Sequence, residues 1–205
     1  MTKFDILGNA SFLEASEKCV SPCFRGTFNA ENPKNAKITI CGLGFFELYI
    51  NGKRVSDEVL VPVNSHYHHY DDCICFVRHG EELAFRIYCV QYDIKDYLTE
   101  GENVITVNVG PGWYSLYGEC KLAYRIELDG KEILSDESLK WRSSPLVNYI
   151  LSKGEIQDYT QNDYNDGFAL PGYDDKDWLP VKSVDAPTSE YYIQDCPADK
   201  VIRTI

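Results

Sequence analysis

A chain of 205 residues can bury a substantial core, as one large domain or two small ones. Its 44 % hydrophobic and 25 % charged content is that of a soluble globular protein, and no apolar run approaches a membrane span. Thirty-two acidic residues against 20 basic ones give a net charge of −12, with no Lys/Arg cluster, so neither a nucleic acid nor an anionic membrane finds a basic footprint.

The aromatic load is 15 Tyr, 9 Phe and 3 Trp against a single Met, which suits sheets whose rings pack across strands. It also suits sugar binding, since a ring face stacks on a pyranose while a phenol supplies a hydrogen bond. The N-terminus, MTKFDILGNASF, has no apolar stretch long enough for a signal peptide, and a cytoplasmic location is the expectation. Residues 37–41 (KITIC) alternate polar and apolar as a half-buried strand does. Residues 40–55 (ICGLGFFELYINGKRV) read as a strand, a glycine-softened bend and a second strand closed by Asn51-Gly52. Asn-Gly at that place predicts a type I′ turn, whose two central residues need φ > 0.

Residues 64–78 put polar, His-rich sequence beside an apolar strand, in the manner of an insertion or a long hairpin. Residues 92–100 (YDIKDYLTE) predict one short helical turn, capped by Asp93 and ended by Gly101. A turn at Gly101, Glu102 and Asn103 precedes the strand 104–109 (VITVNV), with Thr106 and Asn108 facing away from its apolar side. Strands at 121–128 and 131–134 meet across Asp129-Gly130, a second hairpin of the same class, and 138–143 is a further short strand. Residues 157–173 form an acidic, tyrosine-rich loop expected to lie over the sheets, and 174–178 (DDKDW) is the other helical candidate. The ending reads like a domain cut from a longer polypeptide. Many short strands punctuated by Gly, Asn and Asp predict an all-β sandwich or jelly roll with one or two short helices.

Eight cysteines include no Cys-x-x-Cys pair, and a chain this long needs no disulfide staple, so buried free thiols are expected. Gly42-Leu43-Gly44 is not a dinucleotide loop, because Glu47 stands at the third glycine position and a strand follows where a helix is required. These glycines are read instead as a bulge or a close backbone approach. His66, His68, His69, Asp71 and Asp72 are metal-ligand types, but in an exposed hairpin such residues are ordinarily solvated, and no metal site is assigned. Residues 162–167 (NDYNDG) lack calcium-loop spacing and are read as turn chemistry. Trp113-Tyr114 admits two readings, a stacking platform for a sugar or a plug in the core, and large aromatics more often bury. Chance alone guarantees carboxylate pairs among 32 acidic residues, so none is nominated as catalytic.

Six pieces taken in order carry a resemblance: SPCFRGTF, GLGFFELYINGKRV, YDIKDYL, GENVITVNVG, GPGWY and GYDDKDW. From about Ser21 to Trp178 they resemble the N-terminal domain of bacterial α-L-rhamnosidases, which hydrolyse terminal rhamnose from glycans. The resemblance implies a single galactose-binding-like β-sandwich over residues 1–205, a fragment of a multidomain glycosidase. It implies a non-catalytic accessory role, packing against an (α/α) barrel that carries the catalytic acids, so this chain holds no catalytic residue and is expected inactive alone. The implied partners are that barrel, the other domains of the parent chain and a rhamnose-containing glycan. Sugar-binding candidates on this basis are Trp113, Tyr114, Asn148, Glu155 and Asp158. No cofactor is expected. Some relatives hold calcium beside the sugar, near the loop before GWY, where Pro111 here offers no side-chain oxygen. An autonomous rhamnose-binding module is the alternative, and an independent hydrolase the least favoured reading.

Overall fold

The structure is a computed structural model, and it describes residues 1–65, 67, 86–150, 154–160 and 167–201. His66, His68, His69, Asp71, Asp72, Cys73, Cys75, most of the 162–167 turn and the last four residues lie outside that set.

One helix opens the chain. In α1 (Lys3–Leu7), Thr2 and Asp5 form a capping box: the Thr2 hydroxyl accepts from the Asp5 amide, and the Asp5 carboxylate accepts from the Thr2 amide at 2.8 Å. Ile6 and Leu7 are buried. Then come β1 (Phe12–Ala15), β2 (Pro22–Ala30), β3 (Ala36–Leu43), β4 (Phe45–Ile50), β5 (Lys53–Arg54) and β6 (Glu58–Val59). These are followed by β7 (Arg86–Asp93), β8 (Gly101–Gly110), β9 (Lys121–Leu128), β10 (Lys131–Leu134) and β11 (Lys140–Ser143). The chain closes with β12 (Leu146–Ile150), β13 (Gly154–Gln157), β14 (Leu179–Val184), β15 (Glu190–Ile193) and β16 (Asp199–Lys200).

A single hydrogen-bonded path runs β15-β7-β3-β9-β1-β14-β11-β2-β8-β4-β5, with β10 beside β9. It folds over at β14, whose Leu179 and Pro180 pair with β11 while Val181 to Val184 pair with β1. Two layers therefore face each other. Ile38, Ile40, Leu122, Tyr124 and Ile126 of one interdigitate with Phe24, Phe46, Leu48, Ile105, Val107 and Trp141 of the other. The strands obey the two-residue period, so Cys41 and Leu43 point to the outside of the first layer. There they meet Ile6, Leu7, Phe12, Cys89, Tyr114 and Tyr191. On the outside of the second layer, Cys23 packs with Phe168 and Trp178.

The hairpin turns match the sequence. Asn51 and Gly52 have φ of 50° and 75°, and Asp129 and Gly130 have 47° and 88°, as type I′ turns require. Thr106 does face away from the core side of β8, but it is buried on the outer face rather than solvated. The helical expectations are corrected in part. Tyr92 and Asp93 finish β7, leaving a 3₁₀ turn at Lys95–Tyr97, although Asp93 does accept a hydrogen bond from the Lys95 amide. Residues 174–178 form a single turn closed by the Trp178 amide on the Asp175 carbonyl, because that segment is drawn onto the sheet by Trp178 and cannot coil freely. Among the described cysteines, Cys19, Cys23, Cys41, Cys89 and Cys120 are buried free thiols, and Cys196 is exposed.

Candidate functional site

The polar edge of β4 makes the floor of a cleft. Glu47 and Tyr49 sit two residues apart and so share the outer face of the second layer. Antiparallel register sets Asn108 opposite Glu47, Thr106 opposite Tyr49 on β8, and Arg54 opposite Tyr49 on β5. Over this floor lies the β12–β13 hairpin, a separate two-stranded sheet. Its cleft-facing residues are Tyr149, Glu155 and Gln157, with Tyr159 just beyond. The strand-end turn at Gly110, Pro111 and Gly112 closes one side, and the enclosed space is about 540 Å³, within the range of small-molecule sites.

The floor is electrostatically organised. Arg54 Nη2 lies 3.0 Å from Glu47 Oε1 and 3.0 Å from the Glu58 carbonyl, to which it donates. The Tyr49 hydroxyl donates to Glu47 Oε2 at 3.0 Å. Partial burial, followed by the Glu47 charge, pushes the Tyr49 phenol up to about 12, so at neutral pH it remains a donor. Burial and the charge of Glu155 also push the Tyr149 phenol up.

Of the five residues nominated from the sequence, Glu155 alone lines the cleft. Asn148 pairs with Ile156 and Tyr149 with Glu155, so Asn148 occupies the opposite face of the hairpin from Glu155. The cause is a register shift between Leu146 and Asn148, which no residue pattern announces. Asp158 stands at the hairpin foot. Its amide donates to the Pro145 carbonyl at 2.8 Å, and its Oδ1 accepts from the Thr160 amide and hydroxyl. Trp113 and Tyr114 part company in the 3₁₀ turn Gly112–Leu116. Trp113 is 42 % exposed, so it plugs no core, and it does not line the cleft. Tyr114 is the buried one, edge-on to Tyr67 at 5.0 Å in the cluster outside the first layer.

The sequence reading missed Glu47, Tyr49, Arg54, Asn108, Tyr149 and Tyr159. The available signal was the period-2 alternation of residues 45–50, which sets Glu47 and Tyr49 on one face; alone, it does not separate a binding face from a solvated one.

The turn at Pro111 and Gly112 offers no side-chain oxygen to a calcium ion. The Pro111 carbonyl accepts from the Ser115 amide at 3.2 Å and the Gly112 carbonyl from the Ser115 hydroxyl at 2.9 Å, and neither residue carries a side-chain oxygen. Among the described residues, no group of three or more His, Cys, Asp or Glu is placed to hold a metal ion.

Two facing β layers joined through a shared strand, with a polar, tyrosine-lined cleft on one outer face, define an all-β sandwich domain. The chain belongs to the alpha-L-rhamnosidase N-terminal domain family, whose model matches residues 31–76 and 81–203. An alpha-L-rhamnosidase of Formosa agariphila is 28 % identical over 201 residues, 88 % of this chain and 19 % of its own length. The solved alpha-L-rhamnosidase of Dictyoglomus thermophilum superposes with a TM-score of 0.79 at 27 % identity, covering 92 % of this chain and 22 % of that one. The alpha-L-rhamnosidase of Streptomyces avermitilis, solved in complex with L-rhamnose, gives 0.68 at 26 % identity over 83 % of this chain and 16 % of that one. The chain spans 15–19 % of the curated relatives it matches.

Proposed function

We propose that this domain is the non-catalytic N-terminal unit of an α-L-rhamnosidase and that its cleft recognises a sugar of a rhamnose-containing glycan. One observation carries the reading: the cleft joins tyrosine rings on a hairpin to a fixed carboxylate on the sheet beneath. That is the combination a pyranose needs, an apolar face for its C–H edges and acceptors for its hydroxyls. The relatives are about five to seven times longer than the part this chain matches, which supports a reading in which the hydrolytic acids lie elsewhere in a parent enzyme. Calcium-independent binding belongs to this reading, supported by the lack of side-chain oxygens at Pro111 and Gly112. Isothermal titration with L-rhamnose, with and without calcium, tests the proposal. A saturable, calcium-independent response in the millimolar range supports it, as befits an open site with few buried ligand atoms; a flat titration in both conditions ends it.

A second role rests on a separate observation. Trp113, Leu116, Ile150 and Ile156 are exposed large apolar residues outside the cleft. They suit packing against the remainder of a parent enzyme. Joining this chain to that remainder would protect them from solvent labelling; unchanged labelling would remove this role.

A further inference from the structure

We propose that Glu47 is the specificity-determining residue of the cleft, selecting an uncharged saccharide with two free neighbouring hydroxyls over a uronic or sulfated one. The inference rests on the saccharide reading of the cleft given above, and it goes beyond it to the residue and the ligand chemistry.

The argument begins with how Glu47 is held. A surface glutamate ordinarily samples several rotamers, and fixing it on binding weakens affinity. Here both oxygens are already engaged, Oε1 by Arg54 and Oε2 by the Tyr49 hydroxyl, each at 3.0 Å. Each carboxylate oxygen has two lone pairs, so each keeps acceptor capacity after its internal bond. The side chain is still 45 % exposed, and it is exposed at the cleft. A preorganised carboxylate with two such oxygens matches two adjacent hydroxyl donors, and charge-assisted bonds of that kind are stronger than neutral ones. Tyr149, on the hairpin above, supplies a ring face.

Charge supplies the discrimination. Among the described residues lining the cleft, Arg54 is the one cation, facing two carboxylates, Glu47 and Glu155. Its Nη2 is engaged by Glu47 and by the Glu58 carbonyl. A ligand carboxylate or sulfate would meet two carboxylates against one cation already paired with Glu47, in a chain whose net charge is −12. Arg54 and Tyr49 are positioning residues, acting on the ligand through Glu47.

The test is a set of NMR titrations of this 205-residue chain. The ligands are methyl α-L-rhamnoside, its 2,3-di-O-methyl derivative, a neutral methyl hexoside and the matching methyl hexuronide. Wild-type chain binds methyl α-L-rhamnoside roughly tenfold more tightly than its di-O-methyl derivative, the size expected for losing charge-assisted bonds. It also prefers the neutral hexoside to the hexuronide. Glu47→Gln binds methyl α-L-rhamnoside roughly tenfold more weakly and loses most of the discrimination against the uronide. Arg54→Met weakens binding as well, and Arg54→Lys restores part of it, which loss of fold would not do. The di-O-methyl comparison uses the wild-type chain alone and stands even where a variant fails to fold. If wild-type binds rhamnoside while Glu47→Gln retains its affinity and ranking, the assignment to Glu47 is overturned and the saccharide reading survives. If no saccharide moves any wild-type resonance, the saccharide reading falls, and this inference with it.

Discussion

The β-carbon that Gly44 lacks would lie 2.2 Å from the carbonyl oxygen of Gly110. That approach joins the bend between β3 and β4 to the end of β8, so the two halves of the family's sequence signature touch at one backbone contact beside the cleft. Gly44 also has φ of +114°, a conformation that side chains rarely adopt.

Gly44→Ala is therefore strained in conformation and obstructed by backbone, which cannot swing away as a flexible side chain can. The expected loss is about 2–4 kcal/mol. Urea unfolding measures it as a lowered midpoint with unchanged slope. A midpoint equal to that of the wild type would show that the approach is looser than described.

Arg25 is buried at 3 % side-chain exposure on the outer face of the second layer. Its Nε donates to the Phe168 carbonyl at 2.8 Å and its Nη2 to the Leu170 carbonyl at 3.4 Å, while Nη1 pairs with Asp175. This guanidinium pins residues 167–178 to the sheet. Asp175→Asn leaves a buried charge short of its partner; discounted for the 24 % exposure of Asp175, the cost is about 2–3 kcal/mol. Limited proteolysis should then cut within residues 167–178 faster than in wild type, and equal cleavage rates would contradict the role.

Glu14 sets an acid limit on stability. Burial pushes its carboxyl up, but hydrogen bonds and charges from Lys121 and Lys182 outweigh this and hold it below the usual range. A depressed folded value means that its stabilisation is fully present above the unfolded value of about 4.3 and is lost as pH falls through the lower folded value. Glu14→Gln should therefore be less stable than wild type at pH 7, and the gap should close below about pH 4. Thermal unfolding at pH 7 and pH 3 checks this; a gap independent of pH would count against it.

Tyr149→Ala should weaken rhamnose binding about twofold to twelvefold, the range expected when a ring contact worth about 0.5–1.5 kcal/mol is removed. Trp113→Ala should leave binding unchanged, since Trp113 does not line the cleft. Titration of both variants separates the cleft from the Trp113 loop that the sequence also nominated. The reverse pattern would move the site to that loop.

How much of this was legible depended on whether a feature is local. The type I′ turns at Asn51-Gly52 and Asp129-Gly130 were readable because φ > 0 is a demand on single residues. Gly44 was readable as a close approach, although its partner Gly110 was not, since β8 comes back beside β4 only in the fold. The capping box of Thr2 and Asp5 was visible in the spacing and went unread because the helix behind it is a single turn. The cleft was illegible for a different reason. Glu47 and Tyr49 occupy the solvent-side positions of an ordinary amphipathic strand, and nothing local reveals that a hairpin lies over them. Asn148 and Glu155 look like neighbours in composition, yet the register shift after Leu146 sends them to opposite faces. Register is a pairwise property, and one residue of slip reverses a face.

The most direct measurement is an amide NMR titration of the isolated chain with L-rhamnose. The account predicts saturable shifts confined to β4, the Gly110–Gly112 turn and the β12–β13 hairpin, centred on Glu47, Tyr49, Tyr149 and Glu155 and unaffected by calcium. Saturable shifts centred on Trp113, or no shifts at any rhamnose concentration, would contradict it.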